Sequence, residues 1–151
     1  MIEYNFADKN DMAFLMQTRL TMLKEVNSLP ANYIFSDEFT ENTRLFFETD
    51  NQSTVLATDN NKAVGCATIC YTELMPTFSH QSGKRAHLMN VWTDFSYRHR
   101  NIAKTMVNML IEQAKQKGVT EISLDATEMG RPLYEKLVFT ASDECMTINL
   151  N

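Results

Sequence analysis

NVWTDFSYRHRNIAKTMVNMLIEQAKQK, from Asn90 to Lys117, carries the strand, turn and helix from which the architecture follows. It opens as a strand, passes through a turn carrying Arg98, His99, Arg100 and Asn101, and becomes an amphipathic helix near Ile102. Ala103, Met106, Val107, Leu110, Ile111 and Ala114 fall on one stripe of that helix, and Gly118 supplies its stop. A strand feeding a helix through a polar turn is the geometry of a phosphate cradle. Free backbone N–H groups at the helix start point into the turn, the helix dipole adds partial positive charge, and Arg98, Arg100 and Lys104 add full charges. An anionic ligand is the first expectation.

Outward from this unit, Ile2 to Phe6 alternates as an opening strand, and Asp8 or Asn10 caps a helix running to about Val26. Asn27-Ser28-Leu29-Pro30 ends that helix, and Ser36 or Asp37 caps a second one to about Thr49. Ser53 to Thr58 and Lys62 to Leu74 form a hairpin through Asp59-Asn60-Asn61, residues that accept positive φ. Met75 to Arg85 is a polar loop and Ala86 to Thr93 the strand that reaches the cradle. Beyond the cradle helix come a strand at Glu121 to Ala126, a short helix at Met129 to Leu137 and a closing strand at Cys145 to Leu150. This order predicts an α/β mixed sheet with helices on both faces, folded as one domain over 1–151. The cradle strand and the Glu121 strand are expected as parallel neighbours, because a whole helix connects them. Thr93, Asp125 and Thr127 then gather at one cleft.

At 151 residues with 44% hydrophobic content, the chain is long enough for one real core. Its formal charge of -5 argues against nucleic acid and anionic membranes as partners, which sets the basic cluster at Arg98 to Lys104 apart from its surroundings. No apolar run is long enough to span a bilayer and the first residues are too polar for a signal peptide, so a cytoplasmic protein is expected. Cys66, Cys70 and Cys145 sit in apolar segments without metal-ligand spacing and read as buried free thiols. With His80, His87 and His99 they form no zinc pattern, so no metal is expected.

The turn Arg98-His99-Arg100-Asn101-Ile102-Ala103, followed after a helix and a strand by Leu133-Tyr134-Glu135-Lys136-Leu137-Val138-Phe139, resembles the acetyl-CoA-binding core of the GCN5-related N-acetyltransferase (GNAT) superfamily. The family's turn reads Arg/Gln-x-x-Gly-x-Gly/Ala. Asn101 stands here for the first glycine, and Val138 stands where glycine is usual in the second segment. Asn tolerates the left-handed region, which keeps the turn readable.

The resemblance implies a mixed, mostly antiparallel sheet in which a parallel pair splays at the cofactor site. It implies acetyl-CoA as acetyl donor, held at Arg98, His99, Arg100, Asn101, Ile102, Ala103 and Lys104, with Asn90, Val91, Trp92 and Thr93 on the strand whose backbone pairs with the pantetheine arm. A backbone N–H near Val91 or Trp92 would polarise the thioester carbonyl. Thr127 stands where the family often has an asparagine that contacts pantetheine, and Lys136 lies within reach of a CoA phosphate. Tyr134 matches the tyrosine that donates a proton to the leaving thiolate, and Glu128, Asp125 and Glu25 are the candidates for removing the proton from the amine. Arg19 and Glu25 are expected to bind the acceptor, the former through a carboxylate.

The implied activity is acetyl transfer to a primary amine of a small molecule, an amino acid or similar, by direct transfer in a ternary complex. Acetylation of a protein lysine or N-terminus and a non-catalytic acyl-CoA sensor are the alternatives, and pairing into a homodimer stays open. A Rossmann dinucleotide domain is disfavoured by the absence of its glycine fingerprint.

Overall fold

The computed structural model describes residues 1–151. The chain runs β1 (Glu3–Phe6), α1 (Met12–Val26), α2 (Asp37–Phe47), β2 (Gln52–Asp59), β3 (Lys62–Glu73), β4 (Lys84–Thr93), α3 (Ile102–Gln116), β5 (Glu121–Leu124) and α4 (Arg131–Lys136). The sheet runs β1-β2-β3-β4-β5. Its first three pairings are antiparallel, and β4 with β5 is parallel.

Local chemistry sets the element boundaries. Asp8 and Asp11 form a reciprocal capping box ahead of α1, and Ser36 accepts a hydrogen bond from the Phe39 amide to start α2. The β2–β3 hairpin turns on Asn60 and Asn61 at φ 48° and 60°, the two left-handed residues that a two-residue turn compatible with strand twist requires.

Two apolar layers hold the sheet. On one face α3 buries Met106, Val107 and Leu110 against Val55, Val64 and Ile69, all fully buried. On the other, α1 and α2 bring Leu15, Met22 and Phe47 onto Leu56, Cys66 and Trp92. Each such side chain contributes about 1.5–3 kcal/mol by leaving water. The helices therefore lie on both faces, as the element order predicts.

Two expectations are corrected. Cys145 to Leu150 forms no strand. Met146, Ile148 and Leu150 are 92%, 81% and 90% exposed, because alternation specifies a face but only a paired edge makes a strand. For the same reason Cys145 is exposed rather than buried, while Cys66 is buried and Cys70 half-buried. No helix is long and apolar enough to cross a membrane.

Candidate active site

The β4–β5 ladder runs from Arg85 opposite Glu121 to Leu88 opposite Leu124, and stops there although β4 continues to Thr93. At the same point the β3–β4 register shifts by one residue, placing Asn90 and Val91 together opposite Ala67. This is a β-bulge, and Asn90 accommodates it at φ 57°. The bulge twists β4 where β5 ends at Leu124, so β4 from Met89 to Thr93 has no strand beside it on that side, and a splay opens there. The Asp94 amide donates to Val64 O at 2.8 Å, so by strand alternation the Thr93 backbone faces away from β3. Thr93 also carries a buried hydroxyl with no hydrogen-bond partner, a polar atom suited to a ligand entering the splay.

The turn into α3 lies at the end of that strand. His99 and Asn101 adopt φ 63° and 60°, flanking Arg100, an arrangement that turns successive amides toward one concave side. No amide from His99 through Lys104 donates to an acceptor in the protein, and the first to do so is Thr105, to Asn101 O at 3.0 Å. Asn101 supplies no side-chain cap, so nothing of its own competes for these donors. Ile102 is 2% exposed and contributes only its backbone here. His99 to Lys104 thus present a row of unpartnered amides at the positive end of the α3 dipole. The short turn Phe95–Tyr97 that carries it is anchored at both ends. Tyr97 donates to Asp59 at 3.0 Å, and Asp94 pairs with Lys62 at 3.1 Å.

The arginines are directed elsewhere. Arg98 donates from Nε to Thr93 O at 3.2 Å and pairs with Glu25 at 3.3 Å, its guanidinium lying 5.3 Å from the Phe95 ring. Arg100 donates to Ser96 O at 3.3 Å and lies 5.0 Å over Tyr97. Lys104 makes no ion pair, so its charge is uncompensated at the mouth of the cradle. Trp92 is 9% exposed, in the α1–α2 layer, and donates its indole N–H to Glu25 at 3.0 Å. Its backbone pairs with β3 at Cys66. One carboxylate of α1 therefore joins Trp92 and Arg98, a connection no sequence spacing reveals.

Tyr134 and Val91 both pack against the α3-side core, which puts the phenol on the same face as the splay. Its hydroxyl has no protein partner, and burial pushes its pKa above the ordinary tyrosine value. The ring is fixed by a helix-ending motif. Phe139 N donates to Tyr134 O at 3.0 Å and Val138 N to Glu135 O at 3.0 Å, the paired bonds of a Schellman cap. Val138 occupies its left-handed position at φ 69°, and the Tyr134 and Phe139 rings meet edge-on at 6.0 Å.

Thr127 accepts a hydrogen bond from Gly130 N at 3.1 Å and so organises the entry into α4. Glu128 and Lys136 are exposed and make no hydrogen bond. Asp125 is fully exposed and lies 3.6 Å from His87. No three His, Cys, Asp or Glu side chains gather in a metal-binding cluster.

Across the sheet, Arg19 lines a cavity of about 230 Å³ together with Phe39, Phe46, Met89 and Asn90. Arg19 Nη1 donates to Asn90 Oδ1 at 3.5 Å, and Asn90 Nδ2 donates to Thr68 at 3.0 Å. Asn90 is expected through its backbone on the cofactor side; that its side chain also meets Arg19 and Thr68 is not legible in the sequence.

Residues 20–139 match the model of the Acetyltransferase (GNAT) family. A glucosamine 6-phosphate N-acetyltransferase of Trypanosoma brucei brucei is 32% identical over 89 residues, which cover 59% of this chain and 58% of that protein, so the match spans little more than half the relative. A predicted acetyltransferase from Clostridium acetobutylicum, crystallised with acetyl-CoA, superposes with TM-score 0.87 at 27% identity over 99% of this chain and 96% of its own. A GCN5-related N-acetyltransferase from Ralstonia eutropha shares the fold, with TM-score 0.82 at 20% identity over 99% of both chains. A bulged strand, a splayed parallel pair and a turn of free amides thus coincide with a family match over most of the sequence, and the chain belongs to the acetyltransferase (GNAT) family.

Proposed function

We propose that this protein is an acetyl-CoA-dependent N-acetyltransferase that transfers the acetyl group directly, in a ternary complex, to the primary amine of a small molecule such as an amino acid. The observation that carries this reading is the run of unpartnered amides from His99 to Lys104, opening beside the unpaired end of β4. A diphosphate satisfies such donors, and the buried Thr93 hydroxyl suits the arm that follows it. The relative crystallised with acetyl-CoA and the relative named for an amine-bearing sugar support donor and acceptor class respectively.

In this reading the amine lone pair attacks the thioester carbonyl carbon, the carbon–sulfur bond breaks, and the sulfur takes a proton. The backbone around Val91 and Thr93 polarises the carbonyl as it gains negative charge. Tyr134, whose phenol burial keeps protonated beyond the ordinary tyrosine range, donates the proton to the sulfur. Glu25 is already held by the Trp92 indole and the Arg98 guanidinium, so its carboxylate is not free to reach the amine. Glu128, free of partners, is the candidate to take the ammonium proton through water. Lys104 and Lys136 meet the outer phosphates, and Thr127 meets the pantetheine arm through its remaining hydroxyl proton. The partners are coenzyme A and a small amine in the cytoplasm.

Thiol release from acetyl-CoA over a panel of amines tests the proposal, together with thermal melting. Acetyl-CoA at a hundredfold over its Kd should stabilise the fold by about 2.7 kcal/mol. Stabilisation without thiol release from any amine would instead identify an acyl-CoA sensor. No stabilisation would remove the cofactor altogether.

A further inference from the structure

Resting on the acetyltransferase reading, we infer that the acceptor is a primary amine that also carries a carboxylate and an apolar side group, with Arg19 binding the carboxylate inside the cavity between α1, α2 and β4. Arg19 has no carboxylate partner anywhere in the fold. The acids nearby are engaged elsewhere: Glu25 with Arg98, and Glu41 and Glu48 with Arg44. Its single hydrogen bond, to Asn90 at 3.5 Å, uses one of five guanidinium donors. A cation withdrawn from water without a counter-ion is costly, and burial indeed lowers the Arg19 pKa. A ligand carboxylate offsets that cost with a charge-assisted, geometrically matched pair.

The rest of the cavity selects the remainder of the molecule. Phe39, Phe46, Phe47 and Met89 wall it. Thr43 already donates to Phe39 O, and Thr68 and Asn90 bond to each other. Apart from the Cys70 thiol, Asn42 is therefore the one lining side chain whose hydrogen-bonding groups make no bond within the protein, and Arg19 makes only the one to Asn90. An apolar side group fits such walls better than a sugar with several hydroxyls. One unpaired cation matches the single charge of a carboxylate better than a phosphate dianion. Met89 and Asn90 line the cavity, and Asn90 is itself the first residue of the bulge from which β4 runs to the splay. An amine anchored there by its carboxylate is directed along β4 toward the reacting end.

The test measures thiol release by the full chain at saturating acetyl-CoA with L-phenylalanine, with phenethylamine, which lacks only the carboxylate, and with glucosamine 6-phosphate. Expected is a kcat/KM about a hundredfold higher for phenylalanine than for phenethylamine. In Arg19→Met that preference should collapse to within about threefold, while acetyl-CoA still raises the melting temperature. Equal rates for the two amines, a preference that survives Arg19→Met, or a preference for glucosamine 6-phosphate each overturn the inference. If no amine releases thiol, the transferase reading fails separately, and the melting shift by phenylalanine on the CoA-loaded protein decides the site. A shift in wild type that Arg19→Met loses sustains it, and no difference removes it. Should Arg19→Met not fold, Arg19→Gln, which is neutral but polar, takes its place beside the wild-type amine comparison, and the same outcomes sustain or overturn the inference.

Discussion

Val138→Gly should make this protein more stable, although it removes three carbons. Val138 closes the Schellman cap of α4 at φ 69°, where a β-branched side chain crowds the neighbouring backbone. A non-glycine residue held in this region costs about 1–2 kcal/mol, more for a branched one. Val138 is 83% exposed, so its removal forfeits little apolar burial. Against the relief stands the greater freedom of glycine in the unfolded chain, about 0.5–1 kcal/mol. The net gain is about 0.5–1 kcal/mol, or about 1–4 °C in Tm for a chain of this size. Urea melts of wild type, Val138→Gly and Val138→Ala check it, with Ala between the two, because the cap bonds from Phe139 and Val138 to Tyr134 and Glu135 are retained in all three. If Val138→Gly is equal to or less stable than wild type, the left-handed cap is not the conformation this segment adopts. The placement of the Tyr134 ring loses its stated cause along with it.

Tyr134→Phe should lower kcat by about 10²–10⁴ and leave acetyl-CoA affinity unchanged. An unchanged kcat at saturating substrates removes the acid role. Because burial raises this phenol, the alkaline limb of the wild-type pH–rate profile should fall above about 10, and a limb below that value contradicts it. Asn101→Val should weaken acetyl-CoA binding by at least about tenfold, whereas Asn101→Gly binds as wild type, by calorimetry. The left-handed residue at φ 60° aims the free amides, and equal affinity in both variants refutes that. Burial pushes the Cys66 thiol up from 9.0 to about 11. A raised folded value means its stabilising contribution is complete below 9.0 and is lost as pH climbs toward about 11, so alkaline melts of Cys66→Ala should flatten across that window. Alkylation followed by peptide mapping should label exposed Cys145 in the native protein and Cys66 only after unfolding.

The sequence by itself determined the elements that carry local periodicity or local chemistry. The α3 stripe, the Asn60-Asn61 hairpin, the Ser36 cap and the left-handed Asn101 are all legible because each depends on residues within a turn or two of one another. The parallel β4–β5 pair followed from connection length alone. What only the tertiary structure decided are the contacts between residues far apart in the chain. Glu25 reaches Arg98 and Trp92 across 73 and 67 positions, and Arg19 meets Asn90 across 71. No spacing encodes such meetings, because the packing of α1 on the sheet sets them. The tail from Cys145 to Leu150 marks the same boundary from the other side: its alternation was readable, but a strand also needs an edge to pair with, and that depends on the whole sheet.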